Sequence, residues 1–334
     1  MRIGEINSGD GPTLTATFAS AEQAPDDVVA VFVSSHFWTV APNLIARVRP
    51  TAIEDRPWTI EVDDPTRDGV MLAGAFGDPQ RSSRLVIVVH GLGGDAQSPY
   101  VRDIVAAVHA RGWASLRISM RGAGASSPDF YHAGLWTDLA AVLAAPSLAR
   151  FEEIAVIGCS LGGHVALHLG RGSEDPRLAA VAAICSPLDL APNADVLDAP
   201  RTWVYRRYIL GGLEQMHAKW HGTNQRFATI REWDAKVVVP RWGFDDVDHY
   251  WSSQSVGPRL GELRVPALYV GATGDPIVPA ALQYAHLERA RAKIESRWVA
   301  RAGHVGFAPG VDLGMGGARG IWPQVLGWCD RALA

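Results

Sequence analysis

Two kinds of hydrophobic spacing alternate along most of this chain. Leu85-Val-Ile-Val-Val89 is an unbroken, mostly β-branched run, the pattern of a strand covered on both faces. Val101, Ile104, Val105 and Val108 then recur at i, i+3, i+4 and i+7, which predicts an amphipathic helix over 98–111, stopped by Gly112. The alternation continues with a strand over 114–120, a helix from about 133 to 149, a strand beginning at Ile154, a helix after Gly163 and a strand over 178–184. It resumes late in the chain with a strand over 267–270, a helix near 279–290, a strand over 294–300 and a last helix from about Pro323. Strands separated by helices predict an α/β fold, a mostly parallel central sheet with helices on both faces. Ahead of it, residues 58–62 and 70–76 flank Asp63, Asp64, Pro65 and Gly69, which predicts an antiparallel hairpin at a sheet edge.

Two regions depart from this grammar. Between about Asp189 and Gly261 no strand pattern is visible, and five of the twelve tryptophans fall there with Tyr205, Tyr208, Phe227, Phe244 and Tyr250. A mostly helical cap over 189–261 accounts for so long an interruption, with cores at 56–188 and 262–334 on either side. Its aromatics either glue the cap to the sheet or wall an apolar substrate pocket. Residues 1–55 read as an extension packed on the core, in which 26–33 reads as a strand and 36–40 as a short helix or a loop.

The most informative stretch is Ile154-Ala-Val-Ile-Gly-Cys-Ser-Leu-Gly-Gly163. Gly158, Ser160 and Gly162 fit G-x-S-x-G, in which a serine stands on a sharp strand-to-helix turn and glycines two residues either side allow strand and helix to approach closely. A nucleophilic serine needs a base and a carboxylate to orient that base, and sheets of this kind place both in loops beyond strand carboxyl ends. Asp275 follows the strand over 267–270, and His304 follows the strand ending near Ala300. Serine, then aspartate, then histidine is the chain order of α/β-hydrolases. Backbone N–H groups of Leu161 and Leu92 are the candidate oxyanion donors, the second because Gly91, Gly93 and Gly94 let its loop turn towards the serine.

Other residues compete for these roles. Asp189 also follows a strand and is an alternative carboxylate, or it caps the entrance to the cap region. His90 ends a strand but reads as a brace for its glycine loop, and His164 as a ring packed beneath the serine turn. His217 and His221 are spaced i, i+4 with no third ligand in view, so they read as a solvated helix face and not a metal site. Asp245, Asp246 and Asp248 read as a hydrated acidic loop, and Cys159 as a small buried neighbour of the serine.

Composition narrows the field. With 334 residues and 48% hydrophobic residues, the chain can bury a large core. A formal charge of −4 and only three lysines argue against a nucleic-acid partner. Three widely spaced cysteines offer neither a disulfide framework nor a metal motif; residues 1–10 lack the apolar core of a signal peptide, and no later stretch has the length of a membrane span. A cytoplasmic protein without cofactor or metal, acting on a small-molecule ester, is the expectation.

Several motifs together resemble the YheT-like branch of the α/β-hydrolase superfamily from about His36 onward. They are His90-Gly-Leu-Gly-Gly94 with Ser98 and Tyr100, Arg121-Gly122, Gly158-Cys-Ser-Leu-Gly-Gly163, Arg231-Glu-Trp-Asp234, Tyr250 with Ser252-Ser253, Gly274-Asp-Pro276 and Gly303-His-Val-Gly-Phe307. The resemblance implies Ser160, Asp275 and His304 as a triad and ester hydrolysis as the activity, with peripheral membrane contact compatible with the group. Asp95, Ala123, His164 and Trp233 depart from its usual serine, cysteine, asparagine and phenylalanine, differences that bear on the substrate and not on the reaction.

Overall fold

The structure, a computed structural model, describes residues 34–42, 45 and 51–333; the strand expected over 26–33 lies outside them. Eight strands form one sheet: β1 (Arg56–Val62), β2 (Val70–Gly77), β3 (Arg84–Val89), β4 (Ala114–Ile118), β5 (Glu153–Cys159), β6 (Leu178–Ile184), β7 (Ala267–Ala272) and β8 (Ile294–Val299). Their order is β1-β2-β4-β3-β5-β6-β7-β8. The hairpin β1–β2 is antiparallel and joins β4 antiparallel, and every other pairing is parallel. The expected edge hairpin and parallel core are both present.

Strand periodicity explains the layering. Leu85, Ile87 and Val89 of β3 face one core cluster while Val86 and Val88 face the other, because successive side chains point to opposite sides of a strand. Residues 34–42 form helix α1, and α2 (Pro99–Ala110) buries Val101, Ile104, Val105 and Val108, as their spacing requires. Helix α3 (Thr137–Leu143) is shorter than the expected helix over 133–149 and is followed by a 3₁₀ turn at Pro146–Leu148. Proline is the reason: Ala145, before Pro146, is held extended at φ −58°, ψ 129°. Helix α4 (Leu161–Gly172) leaves β5 directly after Ser160.

Between β6 and β7 the described residues are helical: α5 (Leu190–Asp198), α6 (Trp203–His221), α7 (Ile230–Trp233), a π-helical turn at Asp234–Val238, α8 (Val239–Trp242) and α9 (Val247–Gln254). Leu197, Leu210, Leu213 and Trp251 from this stretch share a core cluster with Ile87 and Val156 of the sheet. Helices α10 (Ala280–Arg289) and α11 (Ile321–Ala332) complete the chain. Val89 pairs with Gly158, and Ala272 with Val299, so the loops after β3 and β5 open side by side, as do those after β7 and β8.

A buried ion cluster ties α8 to the sheet. Arg121, after β4, donates to Asp138 at 3.0 and 2.5 Å and pairs with Asp64. Arg241 donates to Asp64 at 2.7 Å and to Asp129 at 2.7 and 3.0 Å. Asp64, Asp129 and Arg121 side chains are at most 2% exposed, so each charge depends on its partners for the solvation it has lost. Replacing Arg241 with methionine keeps the apolar stem and leaves Asp129 short of a cation. The expected cost is about 3 kcal/mol, read as a lower urea midpoint with unchanged slope.

Candidate active site

Ser160 stands between β5 and α4 at φ 51°, ψ −123°, a left-handed conformation that a serine adopts only under constraint. Its N–H donates to Ile184 O at 2.8 Å, and Ser186 Oγ donates to its carbonyl at 2.8 Å, which hold the turn from both sides. The flanking glycines are sterically required. A Cβ on Gly158 would lie 2.1 Å from Gly162 O, and one on Gly162 would lie 2.4 Å from His90 O. Both distances are far inside van der Waals contact, so α4 reaches β3 and β5 only because no side chain intervenes.

The loop after β3 is fixed by its own hydrogen bonds. The N–H groups of Gly91 and Gly93 donate to the hydroxyls of Tyr100 and Tyr131, each at 2.8 Å, while those of Gly94 and Asp95 go to Gly91 O and Ser98 Oγ, each at 3.1 Å. Leu92 N–H, the remaining amide of that run, has no acceptor among the described residues. Leu161 N–H opens α4, where first-turn amides lack helical partners. His90 braces the loop as its position suggests: Nδ1 donates to Gly91 O at 2.7 Å, and Nε2 accepts from Met120 N–H at 2.9 Å. Burial pushes its pKa down to about 4, which suits the neutral tautomer this pairing needs.

His304 and Asp275 meet because β7 and β8 are neighbours. His304 Nδ1 donates to Asp275 Oδ2 at 2.9 Å, while Asp275 Oδ1 accepts from the N–H groups of Ile277 and Val278 at 2.8 and 2.9 Å. The aspartate is 5% exposed, so its carboxylate relies on these three donors. The histidine loop is held from a direction the chain pattern gives little hint of. His304 N–H donates to Thr39 Oγ1 at 2.9 Å, and that hydroxyl donates to Ser35 O at 2.7 Å. Helix α1 lies so close that a Cβ on Gly303 would stand 2.2 Å from Ser35 O. The stretch 36–40, expected as a short helix or a loop, is therefore helix, and it supports the loop that carries His304. The glycines flanking His304 were the one available signal of that close approach.

Ser160, His304, Leu92 and Leu161 line a single cavity of about 300 Å³. Its walls are mainly apolar, with Leu190, Ala194, Leu197 and Ile209 contributed from the helical stretch between β6 and β7. Tyr205, Tyr208, Tyr250 and Trp251 line it too, whereas Trp203 is 59% exposed; the aromatics thus divide between pocket wall, core and surface. Tyr205 hydroxyl and His36 Nδ1 of α1 form a hydrogen bond close to the cavity.

The competing candidates lie elsewhere. Asp189 contacts Ser255 Oγ at 3.3 Å and His286 at 3.9 Å, not His304. His164 is buried beneath the serine turn with its ring nitrogens 2.7 and 2.8 Å from Pro187 O and Gln254 O. The solvated face expected at His217 and His221 is corrected in part: His217 is buried, stacked near Phe130 and edge-on to Phe227 and Trp233, because α6 turns that side to the core. No group of three metal-ligating side chains occurs among the described residues. Asp245, Asp246 and Asp248 are exposed, as a hydrated acidic run would be; Asp246 also caps α9 through His249 N–H, and Asp248 pairs with Arg231 at 2.9 Å. Cys159 and Cys185 are fully buried, and burial raises both thiol pKa values, which keeps both thiols protonated and poorly nucleophilic. Tyr131, which had carried no signal in the chain, is the residue sequence reasoning missed at the β3 loop.

A sheet of this topology with a serine on its β-to-α elbow defines the class of α/β-hydrolases. Residues 86–310 match the model of the alpha/beta hydrolase family, and the chain belongs to that family. It is 27% identical over 302 residues to the protein named "Putative esterase YheT" of Escherichia coli, covering 84% of this chain and 86% of that one. It is 24% identical over 262 residues to phospholipase ABHD3 of Mus musculus, covering 74% of this chain but 61% of the relative's length. Among solved structures, an esterase of Pyrococcus furiosus matches with a TM-score of 0.54 at 19% identity, over 85% of this chain and 91% of that one, a likeness of fold. The similarity to that protein of Escherichia coli bears out the resemblance to the YheT-like branch. No helix among the described residues is long and apolar enough to cross a membrane.

Four buried histidines predict an acid-sensitive fold. Burial lowers the pKa of His90 to about 4, of His132 to about 3 and of His168 to about 2, and it lowers that of His164 as well, from an ordinary 6.5. Below pH 6.5 the unfolded chain binds protons that the folded rings refuse. Their contribution to stability is intact above that pH and is lost as pH falls towards 4. Unfolding at pH 5.5 should take up about two to four protons, measured from the pH dependence of the urea midpoint.

Proposed function

We propose that the chain is a serine carboxylesterase that hydrolyses short- to medium-chain carboxylic esters through an acyl-serine intermediate, without a cofactor or metal. The carrying observation is that Ser160 and His304, the latter held by Asp275, open onto one apolar cavity although they are far apart in the chain. Ser160 Oγ attacks the ester carbonyl while His304 Nε2 takes its proton, and Asp275 stabilises the imidazolium through Nδ1. The N–H groups of Leu92 and Leu161 receive the developing oxyanion. The imidazolium then protonates the departing alcohol, and a water activated by the same ring releases the acid.

Further features support this reading. Residues 189–261 act as a cap over the core formed by 56–188 and 262–334, and the extension 1–55 contributes the helix behind His304. A volume of about 300 Å³ is at the small end for ligand pockets and favours short to medium acyl chains. Three buried free thiols suit a reducing compartment such as the cytoplasm.

A second reading, a lipid-ester hydrolase using the same residues, has its own observation. Val40, Val204 and Tyr208 line the cavity and are 41%, 53% and 63% exposed, and Phe37 and Trp203 add apolar surface nearby in sequence. Activity that rises sharply when a monoacylglycerol or phospholipid substrate is presented on vesicles would favour it. An acyltransferase is separated from a hydrolase by titrating an acceptor alcohol and comparing transfer with hydrolysis.

Replacing Ser160 with alanine should abolish turnover of p-nitrophenyl esters and covalent labelling by a serine-reactive phosphonate. Asp275→Asn should lower kcat by about 10³- to 10⁴-fold with the fold intact, because the imidazole loses its orienting acceptor. Undiminished turnover or labelling in the alanine variant would refute the assignment.

A further inference from the structure

Ester hydrolysis at Ser160 leaves one buried acid of the cavity without a role. Asp234 begins the π-helical turn after α7, is 7% exposed and lines the same cavity as Ser160 and His304. π-Helical turns are rare and recur at functional sites. Its Oδ2 accepts from Trp251 Nε1 at 2.8 Å, and no other hydrogen bond to this carboxyl occurs among the described residues. No cation pairs with it either. Arg231, one turn earlier, instead joins Asp248 at 2.9 Å and stacks over Trp251.

Three other polar side chains of the wall are already engaged, while Tyr208 sits at the exposed mouth, 63% exposed. Asn193 donates to Asp189 O at 2.6 Å and accepts from Gln283 at 3.2 Å, Tyr100 hydroxyl holds Gly91 N–H, and Tyr250 hydroxyl accepts from Ala133 N–H at 2.9 Å. Asp234 therefore brings an unspent polar atom, Oδ1, to a mainly apolar wall that includes Leu197, Ile209 and Ile230. An acid in such a place costs stability unless something meets it.

Its protonation state decides what it can meet. Burial raises the Asp234 pKa to about 7; Asp198 of α5 adds to the rise, while Trp251 of α9 and Arg231 of α7 oppose it. Tyr131 and Tyr250 are the remaining titratable groups that feel this carboxyl, and burial keeps both of them neutral phenols. Below pH 7 the acid form dominates, and with Oδ2 engaged as the indole's acceptor the proton belongs on Oδ1. The group is then a hydrogen-bond donor.

We propose that Asp234 is a specificity-determining residue that donates a hydrogen bond from Oδ1 to a second oxygen of the ester substrate, a keto, ether or further ester oxygen remote from the scissile carbonyl. This rests on the reading of Ser160 as the nucleophile and adds the substrate class: oxygenated esters in preference to plain alkyl ones.

The test compares kcat/KM for p-nitrophenyl esters of keto- and oxa-acyl chains with plain chains of equal length, and for a second series with the oxygen in the alcohol part. Taking the ratio of oxygenated to plain ester cancels the pH dependence of the chemical step. In the native enzyme at pH 6, an oxygen at the matching position of one series should raise kcat/KM by about three- to tenfold, an advantage that fades as the pH passes 7 to 8. Asp234→Asn keeps an N–H donor and should hold the preference across that range. Asp234→Leu should lose it at every pH while still hydrolysing the plain esters. No oxygen preference in either series, or the same preference in Asp234→Leu, would overturn the proposal. Absence of Ser160-dependent hydrolysis of the plain esters would instead overturn the reading of the active site.

Discussion

The arrangement depends on one close approach. Helix α4 is pressed against β3 and β5 at a distance that backbone alone can tolerate, and Ser160 occupies the turn between them with a positive φ. A serine forced into that conformation costs about 1–3 kcal/mol, a cost met by the fully buried strands on either side and by the hydrogen bonds to Ile184 and Ser186. The constraint also fixes what lies beside the serine. Since Gly162 packs beneath the carbonyl of His90, the β3 loop is held next to the elbow, and Gly91 has Ser160 as its nearest neighbour.

Around this junction the fold uses buried polar groups that are satisfied one by one. His90 serves as a neutral connector between Gly91 and Met120, two tyrosine hydroxyls absorb neighbouring amides, and Asp275 gathers three donors. Such networks in a low-dielectric interior are rigid when complete. Their effect is to leave Leu92 N–H as the unengaged amide of its loop and to give His304 one fixed orientation.

The helical stretch between β6 and β7 contributes differently. It adds apolar wall to the cavity, and it is tied down by charge, through Arg241 to Asp64 in the β1–β2 turn and Asp129 in the loop after β4. Asp234, by contrast, sits in that wall with no countercharge. Asp64, in the turn between β1 and β2, has its pKa lowered by hydrogen bonds from Thr66 and Arg241 that outweigh its desolvation, whereas Asp234, with no paired cation, has its pKa raised by burial.

Much of this was legible along the chain. Period-two and period-3.6 spacing marked the strands and most helices, and G-x-S-x-G marked the elbow, because both depend on neighbours a few residues apart. Asp275 and His304 were found by their place after strands. Their contact was not, since the register of β7 against β8 that brings Ala272 beside Val299 is a property of the sheet. Helix α1 behind His304, the burial of His217 and the grip of Tyr131 on Gly93 likewise needed coordinates. Residues 36 and 205, or 64 and 241, carry no mutual signal in sequence, because long-range pairing is decided by how layers close and not by local propensity. The sequence by itself determined the elements, the class and the chemistry on offer; the tertiary structure decided which groups share the cavity and which of them burial leaves charged.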